Sequence, residues 1–384
     1  MKKSYLMIAA AATLLTACMG NDVFKEIADE NPIGFSTIAQ KATKAENSGE
    51  SYTWDLKDHH TTFRVWGYKN TSATAVFDGE EVNYSASKWS YTNNRYWDKA
   101  ATTYEFYAYA PSTAGVFTFN GVSGVSTQNA GYFTIGTAYT IAGENVSPKS
   151  STSTVTSWRT AGAQTDVDLM IADQAQFTGN ALATAKATSV TLNFIHILSR
   201  LNITVKTTDD FYPKVGTGDK IVVNNITVGH MKNSGTFNES SASGATLSSG
   251  TSTRWTASGD KDYSYDLNYD VDQNAKYVIE TLIIPQTAGC ETIALDGTQV
   301  VGDQENKPFL KIAYSIYNNN KSAHEDFVQY FNLATLFEKT GDQVLGFNEG
   351  WQNILNITIQ PGVISFDAKV APWDDAETGS VTVQ

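Results

Sequence analysis

Short runs in which apolar and polar residues alternate, each closed by turn-forming residues, recur along this chain and leave it little choice but antiparallel sheet. The clearest pair lies near the C-terminal end. Leu355, Ile357 and Ile359 fall on one side of a strand while Asn356, Thr358 and Gln360 fall on the other. Pro361-Gly362 offers a turn, and Ile364, Phe366, Ala368 and Val370 then resume the alternation against Ser365, Asp367 and Lys369. Half-buried strands of this kind suit a β-sandwich, whereas the strands of a parallel α/β sheet are apolar on both faces. Aromatic residues at 12%, including 19 Tyr and 18 Phe, point the same way. The best helical pattern, Phe331 to Lys339, is only about two to three turns long. An all-β fold is expected.

A second pattern concerns organisation. Val190, Leu192 and Phe194 occupy even positions, but Leu201, Ile203 and Val205 occupy odd ones. A strand whose inward face changes parity needs a bulge or a short break, here expected within Ile195 to Arg200. The Ala/Thr-rich stretch Gly179 to Thr188 before it reads as a connector. With 384 residues the chain can bury two cores, so two sandwich domains are expected over 32–182 and 183–384. Two Ser/Thr/Gly-rich stretches, Asn145 to Thr165 and Ser234 to Gly259, read as long exposed loops.

The first 31 residues read as address and tether. Lys2 and Lys3 precede an apolar run, Tyr5 to Leu15, that is too short to span a bilayer, and Leu15-Thr16-Ala17-Cys18 closes it. This is the pattern of a lipoprotein signal peptide, residues 1–17, with Cys18 as the acylated first residue of the mature chain. The acid-rich segment 18–31 then serves as a lipidated tether. Cys290 is the remaining cysteine, so a lipidated Cys18 leaves no disulfide to be formed within the chain. The net charge of −13 becomes −15 once Lys2 and Lys3 are lost, which argues against nucleic acid as a partner.

Catalytic and metal chemistry finds little support. The histidines, His59, His60, His196, His230 and His324, form no HExxH or HxH and pair with no cysteine. His59-His60 reads as a solvated loop pair, and His196 as a buried imidazole hydrogen-bonded to backbone near the parity change. Asp266, Asn268, Asp270 and Asp272 resemble the opening of a calcium loop, but Val271 stands where that loop wants Gly and Tyr277 where it wants Glu. The polar face of a strand or turn explains them better. Gly216-Thr217-Gly218-Asp219-Lys220 lacks the spacing of a phosphate-binding loop. Trp89, Tyr91, Tyr96 and Trp97 could stack on sugars, and core packing accounts for them equally well. No cofactor is implied.

In order along the chain, a set of motifs is similar to the fimbrillin family of lipoproteins, subunits of surface pili in Gram-negative anaerobes. These are the Cys18 lipobox; Ile33-Gly34-Phe35-Ser36 followed by Thr43-Lys44-Ala45; Phe63-Arg64-Val65-Trp66-Gly67-Tyr68; Tyr104 to Pro111; Asp168-Leu169-Met170-Ile171-Ala172; Leu192 to Leu201; and the Trp351 to Trp373 hairpin. The resemblance implies two tandem transthyretin-like Greek-key β-sandwich domains, no enzymatic activity, and placement at the outer membrane and cell surface. It also implies assembly with other pilin subunits by strand exchange after proteolysis.

Where the family commonly shows Arg at the cleavage position, this chain has Lys41 or Lys44. The strand displaced would carry Ile33 and Phe35 and span roughly 26 Å over eight residues. A donor strand would be Ser380 to Gln384, with Val381 and Val383 alternating. From a different class, a monomeric surface glycan-binding lipoprotein is the alternative. A glycosidase with two carboxylates is a further one, for which no motif selects a pair.

Overall fold

The computed structural model describes residues 28–39, 55–58, 60–70, 72–121, 131–145, 166–172, 175–208, 220–242, 254–287, 308–318, 321–333, 346–360 and 363–372. Most of them are strand, as the alternation requires. No helix among the described residues is long and apolar enough to cross a membrane.

The first half builds one sheet of eight strands. In spatial order it runs Phe35–Ala39, Val190–His196, Met170–Ala172, Thr103–Ala110, Thr62–Lys69, Ser72–Ser85 and Lys88–Tyr91, with Ala175–Thr178 also pairing Thr103–Ala110. Only the contact of 35–39 with 190–196 is parallel. The sheet curls so that its two edge strands, 35–39 and 88–91, face each other over a core of Phe63, Phe77, Trp97, Phe106 and Phe194. Gly67 is required by this packing, since a Cβ there would lie 2.9 Å from Phe77 and 3.0 Å from Phe106.

The Ala/Thr-rich stretch is an α-helix, Gly179–Ala187, rather than a simple connector. Its alanines favour the helix, and Leu182 and Ala185, three apart on one face, are buried in the first core. The division expected after residue 182 falls inside it.

The second half is a sandwich. One sheet runs Lys276–Ile283, Ser199–Thr207, Trp351–Gln360, Val363–Pro372, and the other Lys261–Val271, Lys220–Met231, Phe309–Asn318, Lys321–Asn332. Leu201, Ile203, Val205, Leu355, Ile357 and Ile359 from the first meet Ile221, Val223, Ile226, Val228, Leu310 and Ile312 from the second. The hairpin read from alternation is present in register: Leu355 pairs with Ala368, Ile357 with Phe366, Ile359 with Ile364. Phe331 and Asn332, expected to open a helix, instead close the strand Lys321–Asn332; residues 334–339 lie outside those described.

The parity change is a crossover between sheets. The strand ending at His196 belongs to the first sheet and the one starting at Ser199 to the second half. Ile195, Ile197 and Leu198 fill a third core between them, with Tyr109, Phe133, Phe237 and Trp255. A further sheet, Trp255–Ser258, Ser234–Asn238, Tyr132–Thr140, Thr118–Asn120, draws strands from both halves. The stretch expected as a loop over Ser234 to Gly259 thus supplies two strands, anchored by buried Phe237 and Trp255. Loop composition hid them because each strand carries only one large apolar side chain.

Candidate functional site

The segment 28–39 is held at two places that belong to different sheets. Ala28–Pro32 pairs antiparallel with Tyr96–Asp98, and Phe35–Ala39 pairs parallel with Val190–His196. Between them the Ile33 amide donates to Arg95 O at 2.7 Å, and the Val190 amide donates to Gly34 O at 2.8 Å. Phe35–Ala39 is an edge strand, so among the described residues its far side carries no backbone ladder.

Strand alternation puts Ile33, Phe35 and Thr37 inward, all of them buried. The Phe35 ring sits among Phe63, Phe77, Tyr91 and Phe106 at centroid distances of 5.7, 5.3, 5.9 and 6.0 Å, edge to face in each case. Ser36 points outward, where Ser189 Oγ donates to it at 2.9 Å and Thr191 Oγ1 lies 3.0 Å away.

Side chains, not backbone, close the seam between the two edges. The Tyr91 hydroxyl donates to Ile33 O at 2.7 Å, and Trp89 Nε1 donates to Thr37 Oγ1 at 2.9 Å. Thr37 in turn donates to Asp55 Oδ1 at 2.6 Å, while Lys57 Nζ donates to Asp55 Oδ2 at 2.6 Å. Partial burial works to raise the Asp55 carboxyl, but the hydrogen bonds from Lys57 and Thr37 outweigh it and hold the group below its ordinary value. Burial pushes the Tyr91 phenol up, against the opposing influence of Arg95.

These contacts settle what the aromatic residues do. Trp89 and Tyr91 are committed to the seam, and Trp97 is 1% exposed with its ring 4.8 Å from Tyr104. Of the four considered for sugar stacking only Tyr96 presents itself to solvent, at 48%. Asp266, Asn268 and Asp270 are exposed along the strand Lys261–Val271, which makes them the polar face of a strand and not of a turn. Among the described residues no three His, Cys, Asp or Glu side chains gather as a metal site.

The histidines differ from expectation in their partners. His196 is buried, and Asp168 Oδ1 lies 2.9 Å from its Nδ1, a carboxylate partner the alternation could not reveal. His60, expected in solvent, has a side chain only 10% exposed and places Nε2 3.9 Å from Asp168 Oδ2. His59 lies outside the described residues, as do Cys18, Lys41, Lys44, Val381 and Val383. Sequence reasoning located Ile33 and Phe35 but missed the Thr37, Asp55 and Trp89 cluster. The one signal for it was that Thr37 shares the parity of Ile33 and Phe35.

The arrangement holds the chain's own extended segment against two sheets. A family profile described as fimbrillin-like matches residues 43–373. The chain belongs to the fimbrillin-like family. No relative is found among curated proteins. Among solved structures, a fimbrial protein from Bacteroides vulgatus ATCC 8482 is similar at 16% identity and a TM-score of 0.47, covering 90% of this chain and 100% of that one. A candidate cell adhesion protein from Bacteroides ovatus ATCC 8483 is similar at 14% identity and a TM-score of 0.46, covering 90% and 99%. The motifs that carried the resemblance to fimbrillins are spread over the matched span of this fimbrillin-like chain, except the Cys18 lipobox and Ile33 to Ser36, which precede it.

Proposed function

We propose that this fimbrillin-like protein is a non-enzymatic pilus subunit used in adhesion, exported as a lipoprotein through Cys18 and anchored at the outer membrane surface. Cleavage after Lys41 or Lys44 frees the segment that carries Ile33 and Phe35, and a strand from a neighbouring pilin, identical or related, takes its place. The segment Ser380 to Gln384, with Val381 and Val383, is the proposed donor toward the next subunit. Two tandem β-sandwich domains, over 32–182 and 183–384, are part of this reading.

One observation carries this reading: a short edge strand, bound by a single ladder, fills the first core with Ile33 and Phe35. Its removal uncovers the ladder of Val190–His196 and two apolar pockets, each worth about 1.5–3 kcal/mol when filled. An incoming strand recovers that energy by β-augmentation. The test is limited trypsin digestion of residues 19–384 followed by size-exclusion chromatography. Cleavage near Lys41 or Lys44 followed by growth into SDS-resistant multimers supports the proposal. Resistance at both lysines, with the protein remaining monomeric, refutes it.

A further inference from the structure

The groove filled by the 33–39 segment has three inward positions, and their chemistry differs. Ile33 and Phe35 occupy apolar surroundings, but Thr37 occupies a polar one built by Asp55 and Trp89, 18 and 52 residues away. Trp89 Nε1 offers a hydrogen that needs an acceptor, and Asp55 Oδ1 offers an acceptor that needs a donor. Thr37 is 7% exposed and answers both through one oxygen, accepting at 2.9 Å and donating at 2.6 Å. Among side chains of this size only a hydroxyl can do both. A Val of the same shape would take the acceptor from the indole N–H and leave Asp55 Oδ1 with only the Lys57 amide at 3.3 Å, at a half-buried site where Thr37 itself is 7% exposed.

We infer that this third position is a specificity pocket: the groove selects an extended strand reading large aliphatic, any residue, aromatic, any residue, Ser or Thr, with the hydroxyl bound between Trp89 and Asp55. This inference rests on the strand-exchange reading above, and it adds which strand the groove accepts. Two features support a selective role over simple packing. Asp55 is fixed independently of Thr37, through Lys57 Nζ at 2.6 Å and the Lys57 amide at 3.3 Å, so the pocket keeps its acceptor when the strand leaves. Trp89 lies on the opposite edge strand, with its ring 5.0 Å from Phe63 and 5.1 Å from Tyr84, so the donor is held by packing as well. The tail Ser380 to Gln384 of this chain lacks that pattern, so the partner is a β-strand peptide from a related, non-identical subunit, with a hydroxyl residue two positions beyond its aromatic anchor, and the tail serves a different groove.

The experiment uses the full chain, nicked within residues 40–54 by a lysine-specific protease, and fluorescein-labelled peptides copying residues 28–39. The peptides carry Thr37, Thr37→Ser or Thr37→Val, and labelled peptide retained by the protein is measured. The inference expects Thr and Ser peptides to be captured and the Val peptide to bind at least about tenfold more weakly, equivalent to ~1.4 kcal/mol. Chains bearing Asp55→Asn or Trp89→Phe should lose most of that discrimination. Equal capture of all three peptides overturns the pocket and leaves strand exchange standing. Capture of none overturns strand exchange itself. The un-nicked chain supplies a measurement that does not depend on exchange. There Thr37→Val should melt lower than wild type while Thr37→Ser stays close to it, and equal melting of the two variants overturns the pocket.

Discussion

Replacing Phe35 by Ala probes how firmly the edge strand is held. The ring is 7% exposed and meets four other aromatic rings edge to face at 5.3 to 6.0 Å. Truncation of a buried Phe to Ala costs about 3–5 kcal/mol, from lost transfer energy and the cavity left behind. Because the strand is at an edge, its neighbours can relax toward the gap, which places the expectation near 3 kcal/mol. That cost falls on the local opening that separates 35–39 from 190–196. Hydrogen exchange at the Val190 amide, which donates to Gly34 O, reads this opening directly. Exchange there should quicken on the order of a hundredfold, since each 1.4 kcal/mol is a factor of ten. Ser36→Ala, on the outward face of the same strand, should change it by less than about tenfold, the scale of one net hydrogen bond. If Phe35→Ala leaves the Val190 amide within tenfold of wild type, the claim that Phe35 anchors the strand is wrong.

Three further outcomes follow from the same geometry. Arg254 and Glu349 form a buried pair, with Arg254 Nε donating to Glu349 Oε2 at 2.8 Å, so Arg254→Met alone should cost roughly 3–5 kcal/mol in urea denaturation. The double change Arg254→Met with Glu349→Leu should recover most of it, and a double loss equal to the sum of the singles would contradict the pairing. Asp166 accepts the amides of Ala142, Gly143 and Glu144 at 2.6 to 2.9 Å, so Asp166→Ala should release residues 142–144 to faster hydrogen exchange while the strand Val190–His196 stays protected. The folded Asp55 carboxyl titrates below its ordinary value of 3.8, so its contribution to stability is complete above that value and disappears as pH falls through the lower folded value. The wild-type advantage over Asp55→Asn in denaturation midpoint should be constant at neutral pH and shrink below about pH 4. An advantage that grows on acidification would reverse the sign.

The sequence carried the parts of the fold that depend on local alternation and little that depends on distant partners. Leu355, Ile357 and Ile359 announced both their strand and its register, because a hairpin pairs neighbours in sequence. The parity change around Ile195 to Arg200 was visible, but its cause was a passage between sheets, and sheet membership depends on partners such as Ile279 and Leu355 far along the chain. The Ala/Thr-rich run hid a helix because only Leu182 and Ala185 mark its buried face. Ile33 and Phe35 were singled out through the resemblance to fimbrillins, and the structure buries both, yet the polar surroundings of Thr37 were hidden, since Asp55 is 18 and Trp89 52 residues away. The His196 and Asp168 contact was hidden for the same reason.

The central claim is that the 28–39 segment is a removable filler of a groove that another subunit's strand then occupies. Its most direct test is the intact mass of subunits recovered from multimers grown after light trypsin digestion. The account predicts subunits that begin just after Lys41 or Lys44, with the fragment bearing Ile33 and Phe35 absent from the assembled fraction. Multimers whose subunits still hold that fragment, cut or uncut, would contradict it.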